Sequence, residues 1–179
     1  MGCASHRERV TLLALDRPWP RRHNEEHMQG RVFHYETTIR ERHLDHFGHV
    51  NNAKYLELFE EARWDLIAQS GRGLDWVLQR GLGPVILGVN VKFRKELLLR
   101  ETVRIESRVA DYRKCLGYFE QKIFNAKGVL CTEAEFVFSI FDLHRRRMVP
   151  PDAQWVQLLG MSATAAPETS LTAAPNGDR

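Results

Sequence analysis

Two hydrophobic rhythms organise this chain. Val32 to Arg40 carries Val32, Phe33, Tyr35, Thr37, Thr38 and Ile39, the β-branched and aromatic content of a strand. After a polar loop, Tyr55, Phe59, Ala62 and Leu66 recur at spacings of four, three and four, one face of an α-helix. Leu56, Leu58, Trp64 and Ile67 lie off that face. A helix apolar on several sides predicts enclosure rather than docking on a flat surface. Ser70-Gly71 supplies its stop. Gly71, Gly73, Gly81 and Gly83 punctuate the next connection, with a short helix around Leu74 to Gln79. Four strands follow: Pro84 to Phe93, Thr102 to Tyr112, Leu116 to Asn125 and Val129 to Phe141. Asn125-Ala126-Lys127-Gly128 reads as a hairpin turn. Pro150-Pro151 ends the sheet, and Gln154 to Leu159 has room for one or two helical turns.

Helix and strands are segregated in sequence, which defines an α+β domain. One curled five-stranded antiparallel sheet wrapped around one long central helix would satisfy both patterns. The domain is expected over residues 32–160. Residues 1–31 read as a poorly ordered extension, with Met28 directly before the organised part, and 161–179, rich in Ala, Thr, Ser and Pro, as a disordered tail.

Composition narrows the function. The 179 residues are 43% hydrophobic and 27% charged, enough for one packed domain. A net charge of +3 and a pI near 8.9 suit an anionic small ligand and are too weak to argue for nucleic acid. No run approaches the roughly 18 apolar residues of a membrane span, and Met1 to Gly30 lacks the apolar stretch of a signal peptide, so the expected location is the cytosol. Met1-Gly2-Cys3-Ala4-Ser5 misses a myristoylation pattern by the position of its hydroxyl. Cys3, Cys115 and Cys131 have no paired spacing, which predicts neither a disulfide framework nor a zinc site.

The candidate chemistry lies in the loop Arg42 to Tyr55. Asn51 and Asn52 are good N-caps for the long helix, whose first N–H groups have no intrahelical acceptor and attract negative charge. Asp45 precedes them by a few residues. A carboxylate beside free N–H donors can attack a carbonyl, or activate water to do so, while the donors hold the oxyanion. The pattern points to acyl chemistry. His49 serves either as acid/base partner or as a loop-shaping hydrogen bonder. His43, His46 and His49 repeat every three residues, but on a loop without an outer shell, so no metal and no cofactor enters the reading. Tyr55 and Phe59 are core candidates that could also line an acyl site. Glu60 and Glu61 read as surface or structural carboxylates. His144-Arg145-Arg146-Arg147 reads equally as a phosphate grip or a solvated turn. Without Gly-x-Ser-x-Gly there is no serine-hydrolase nucleophile.

From Val32 to Gly160 the chain resembles the hotdog-fold thioesterases, in particular the 4-hydroxybenzoyl-CoA thioesterase-like family. The resemblance rests on Asp45-x-x-Gly48, on Asn52-Ala53-Lys54-Tyr55 at the helix opening, on the four later strands and on Pro150-Pro151. The string His49-Val50-Asn51-Asn52-x-Lys54-Tyr55 is also similar to plant acyl-carrier-protein thioesterases; Phe47 stands where that pattern has Asn. The resemblance implies hydrolysis of an acyl-CoA or acyl carrier protein thioester. Asp45 would be the nucleophile or general base, with His49 beside it and the backbone N–H of Asn52 as oxyanion donor. Gly48, Asn51, Tyr55 and Phe59 would contribute to substrate binding. It further implies a homodimer or homotetramer paired along the strand Pro84 to Phe93, which reads almost continuously apolar. Two rivals share the fold: an acyl-CoA hydratase or dehydratase, whose His-x-x-x-Gly-x-Pro loop this chain lacks, and a non-catalytic acyl-thioester-binding module.

Overall fold

A computed structural model describes residues 30–161 of the protein. The myristoylation-like start and nearly all of the expected extension and tail lie outside these residues. Gly30 and Arg31 are held, their N–H groups donating to the carbonyls of Val109 (3.1 Å) and Gly160 (3.0 Å).

The chain runs β1 (Phe33–Thr38), a 3-10 turn (Glu41–His43), α1 (Asn52–Gln69), α2 (Leu74–Arg80), β2 (Leu82–Phe93), β3 (Thr102–Arg113), β4 (Leu116–Asn125), β5 (Leu130–Asp142), β6 (Arg147–Val149) and α3 (Ala153–Leu158). The antiparallel sheet has the order β1-β3-β4-β5-β2, and β6 pairs with the end of β5. This is the curled sheet of a hotdog fold. It has one short strand more than the five read from sequence, because the residues after the basic turn extend the sheet. Asp142 builds that turn: its Oδ1 accepts the N–H groups of His144 (3.0 Å) and Arg145 (2.8 Å). The hairpin at Asn125 works alike. Its side chain accepts from Lys127 and Val129, and Gly128 takes the left-handed conformation at φ 74°.

Alternation decides the inner face of the sheet. Val103, Ile105 and Val109 on β3, Phe119 and Ile123 on β4, and Ala134, Phe136, Phe138 and Ile140 on β5 are buried. Across the strands they meet in register, Ile105 opposite Ile123 and Phe119 opposite Phe136. Against this face α1 buries Tyr55, Leu58, Phe59, Ala62, Leu66 and Ile67. Burying each large apolar side chain contributes about 1.5–3 kcal/mol. Leu56 and Trp64, counted in sequence among the enclosed positions, remain 38% and 39% exposed. The reason is that the sheet curls under one side of α1, with β1 and β3 its closest strands.

At the far edge, β2 is open. Its register places Pro84, Ile86, Val89, Val91 and Phe93 opposite the inward residues of β5, with a bulge at Leu87 between Ile86 and Gly88. Ile86, Val89 and Phe93 are nonetheless 43%, 44% and 53% exposed. An apolar strip of β2 thus lies on the α1 side of the sheet and is only partly covered by it. α3, capped by Asp152, closes one end of the domain by burying Trp155 edge-on to Trp76 at 5.0 Å.

Candidate active site

The loop between β1 and α1 is tied at several points. Leu44 bridges to Val50, and His49 to Leu98. Val50 N–H donates to the Leu97 carbonyl (3.0 Å) and Asn51 N–H to the His43 carbonyl (2.9 Å). His43 is buried beneath it, its Nδ1 accepting the Arg40 N–H at 3.1 Å. Burial, reinforced by the Arg42 charge, holds this imidazole below its usual pKa, so it serves the loop as a neutral acceptor. The turn itself closes through Gly48 N–H to the Asp45 carbonyl (3.2 Å) and Asp45 N–H to the His49 carbonyl (3.0 Å). Gly48 sits at φ 84°, where a Cβ would be strained although open space surrounds it.

Asp45 is held by this turn. Its Oδ1 accepts the Phe47 N–H at 2.9 Å, and its Oδ2 stands 3.4 Å from His49 Nδ1. The exposed Phe47 ring stacks on His49 at 5.9 Å. Asn51 is the N-cap of α1, its Oδ1 accepting the Ala53 N–H at 2.9 Å. Asn52 is the first helical residue, and its backbone N–H finds no acceptor among the described residues. A cleft of about 350 Å³ joins these groups, lined by Asp45, His49, Asn52, Tyr55, Phe93 and Lys95. Carboxylate, imidazole and free helix N–H therefore border one space.

Not every expected residue reaches it. Gly48 and Asn51 shape the loop and the cap without lining the cleft. Phe59, one turn deeper than Tyr55, is fully buried edge-on to Phe136 at 5.7 Å and belongs to the core. Tyr55 does both: it is 4% exposed, packs edge-on to Phe93 at 5.1 Å, and burial raises its phenol pKa. The basic turn His144–Arg146 lies off the end of β2 opposite Phe93, roughly 36 Å from it along the strand at 3.3 Å per residue. Within one chain it does not border Asp45. Cations of the cleft come instead from the exit of β2. Arg94 is ion-paired with Glu133 (2.6 Å), holding that carboxyl below its usual range, while Lys95 is exposed. The signal for them, the charged run Lys92-Phe93-Arg94-Lys95-Glu96, is present in the sequence, but their nearness to Asp45 comes from the fold. Among the described residues no three His, Cys, Asp or Glu side chains gather where a metal could bind, and no helix is long and apolar enough to cross a membrane.

This fold with a carboxylate at the mouth of its central helix defines a class. Residues 39–159 match the model of the thioesterase-like superfamily, and the chain belongs to that family. The long-chain acyl-CoA thioesterase FadM of Escherichia coli is 31% identical over 110 residues, covering 61% of this chain and 83% of that protein. The solved structure of YbaW, a probable thioesterase from Escherichia coli, superposes with a TM-score of 0.62 at 27% identity, over 75% of this chain and 97% of that one. A candidate oleoyl thioesterase from Lactobacillus plantarum gives a TM-score of 0.68 at 18% identity. The match covers 73% of this chain but only 51% of that longer one, a likeness of fold alone. The chain is a hotdog-fold thioesterase.

Proposed function

We propose that this enzyme hydrolyses an acyl-CoA thioester, with Asp45 as the catalytic carboxylate. The observation that carries the reading is the single cleft bordered by Asp45 and by the unpaired N–H of Asn52 at the start of α1. The thioester carbonyl oxygen accepts from that N–H, in the field of the helix dipole. Asp45, oriented by the Phe47 N–H, either takes a proton from an attacking water or attacks the carbonyl carbon itself, giving a mixed anhydride that water then hydrolyses to release the acid and restore the carboxylate. The C–S bond breaks, and thiolate leaves with little further assistance because it is a good leaving group. His49, 3.4 Å from Asp45, helps to steer the carboxylate. Lys95 at the cleft wall suits a phosphate-bearing carrier, and the name of the FadM relative favours CoA over a carrier protein. Asp45→Ala is expected to keep the fold and lower kcat by about a hundredfold or more, the range lost with an acid/base group. Near wild-type thiol release from acyl-CoA esters by that variant would overturn the assignment.

A further inference from the structure

The corner where α2 meets the turn between β5 and β6 takes no part in the Asp45 cleft. On α2, Val77 is buried and Trp76 packs edge-on to Trp155, while Leu74 and Leu78, about one helical turn apart, are each 55% exposed. Gly81 ends this helix in the left-handed conformation at φ 62°, and its carbonyl accepts the Leu143 N–H at 2.8 Å. The His144 ring lies so close to Gly81 that a Cβ there would stand 2.4 Å from it. Leu143, itself exposed, and the basic turn are thereby set beside the end of α2. A single exposed leucine is ordinary, but three on adjoining segments form a patch.

Positive charge surrounds that patch. His144, Arg145, Arg146 and Arg147 are all exposed. Arg80 pairs with Asp152, and Arg145 Nη1 stands 3.9 Å from Asp142 Oδ2. Arg72 lies over the Trp76 ring at 5.0 Å and Arg146 over the Phe141 ring at 5.3 Å. Neither of these, nor Arg147, forms an ion pair among the described residues. Against them stands Asp75, the one acid on α2. The corner therefore keeps an excess of arginine where it also exposes leucine. A nucleotide or another small polyanion would use the arginines and leave Leu74 and Leu78 in water. An anionic lipid leaflet uses both, because arginines reach its phosphates while leucines enter the boundary of its acyl chains.

We propose that α2 and the turn Leu143–Arg147 dock this protein on the surface of an anionic bilayer. The thioester reading gives the docking a use, since acyl thioesters and the acids they yield are amphiphiles that collect at lipid, but the docking is tested without turnover. The full chain is co-sedimented with vesicles of phosphatidylcholine alone or mixed with phosphatidylglycerol. At low salt the mixed vesicles are expected to take up the protein about tenfold or more over the neutral ones, a difference that about 0.5 M salt largely removes. Arg146→Gln with Arg147→Gln, and separately Leu74→Ser with Leu78→Ser, should each weaken uptake about fivefold or more at an unchanged thermal midpoint. Should the leucine pair fail to fold, Leu78→Gln alone takes its place. Arg104→Gln with Lys122→Gln, which removes the same charge from the outer face of the sheet, should leave uptake intact. Equal uptake by neutral and anionic vesicles, or a loss in this control as deep as in the arginine pair, would overturn the proposal. So would an effect confined to one of the two patch pairs, or to neither. Confined to the arginines and accompanied by displacement with free CoA, it would assign the turn to the phosphates of the carrier instead. Thiol release by a protein that ignores vesicles leaves the thioesterase reading standing and the docking refuted; docking without release does the reverse.

Discussion

His43 shows how a residue outside the chemistry maintains the site. Burial holds its folded-state pKa below the 6.5 of an unperturbed imidazole. Between those two values the unfolded chain binds more protons, so the contribution is complete above about pH 6.5 and is lost as pH falls through the folded value. The urea midpoint is therefore expected to fall between pH 7.5 and pH 5. In His43→Asn, which keeps an acceptor for the Arg40 N–H without a titrating ring, that fall should be smaller. An identical slope in the two proteins would exclude His43 as its source. Much at this scale was legible in the chain: Asp45, His49 and Asn52 stand close in sequence, and a local loop brings them to one cleft. Lys95 was not. A lysine at a strand exit looks the same in sequence whether it faces water or a cleft, and long-range packing makes the difference.

Helix α1 carries both the core and the candidate oxyanion donor, and substitutions along it separate the two. Asn51→Ala removes the N-cap side chain, one of two acceptors of the Ala53 N–H beside Asn52 Oδ1, and should cost up to about 1 kcal/mol of stability with modest change in kcat. Asn52→Ala leaves the backbone N–H in place and should retain most of the turnover that Asp45→Ala loses. A kcat as low as that of Asp45→Ala, at unchanged stability, would assign the chemistry to the Asn52 side chain. Phe59→Ala should destabilise by about 3–5 kcal/mol in denaturant titration, the range for a buried aromatic. A change confined to KM would instead put Phe59 in the acyl path. The helix was legible because its apolar spacing is regular and its cap and stop residues are explicit. The short β6 was not, since three residues carry no periodicity, and the bulge at Leu87 has no local signal in an evenly apolar run.

For the whole molecule the open edge is β2. Its exposed Ile86, Val89 and Phe93 and its unpaired backbone invite a second copy, and a two-fold interface would pair β2 with itself. Antiparallel pairing of that kind would also bring the basic turn of one subunit toward the Asp45 cleft of the other. We expect the protein to sediment as a dimer or tetramer. Val89→Lys, which sets one added charge on each copy near the axis, should weaken assembly and activity together. A fully active monomer of about 21 kDa would contradict this. The central claim, that a carboxylate on the loop before α1 cleaves a thioester, is tested most directly by thiol release from a panel of acyl-CoA esters, comparing wild type with Asp45→Asn. That substitution keeps the side-chain shape and removes the charge. The account predicts release by the wild type and a fall of about a hundredfold or more in the variant at equal thermal stability. Equal rates in the two proteins, or no release by the wild type from any ester of the panel, would contradict it.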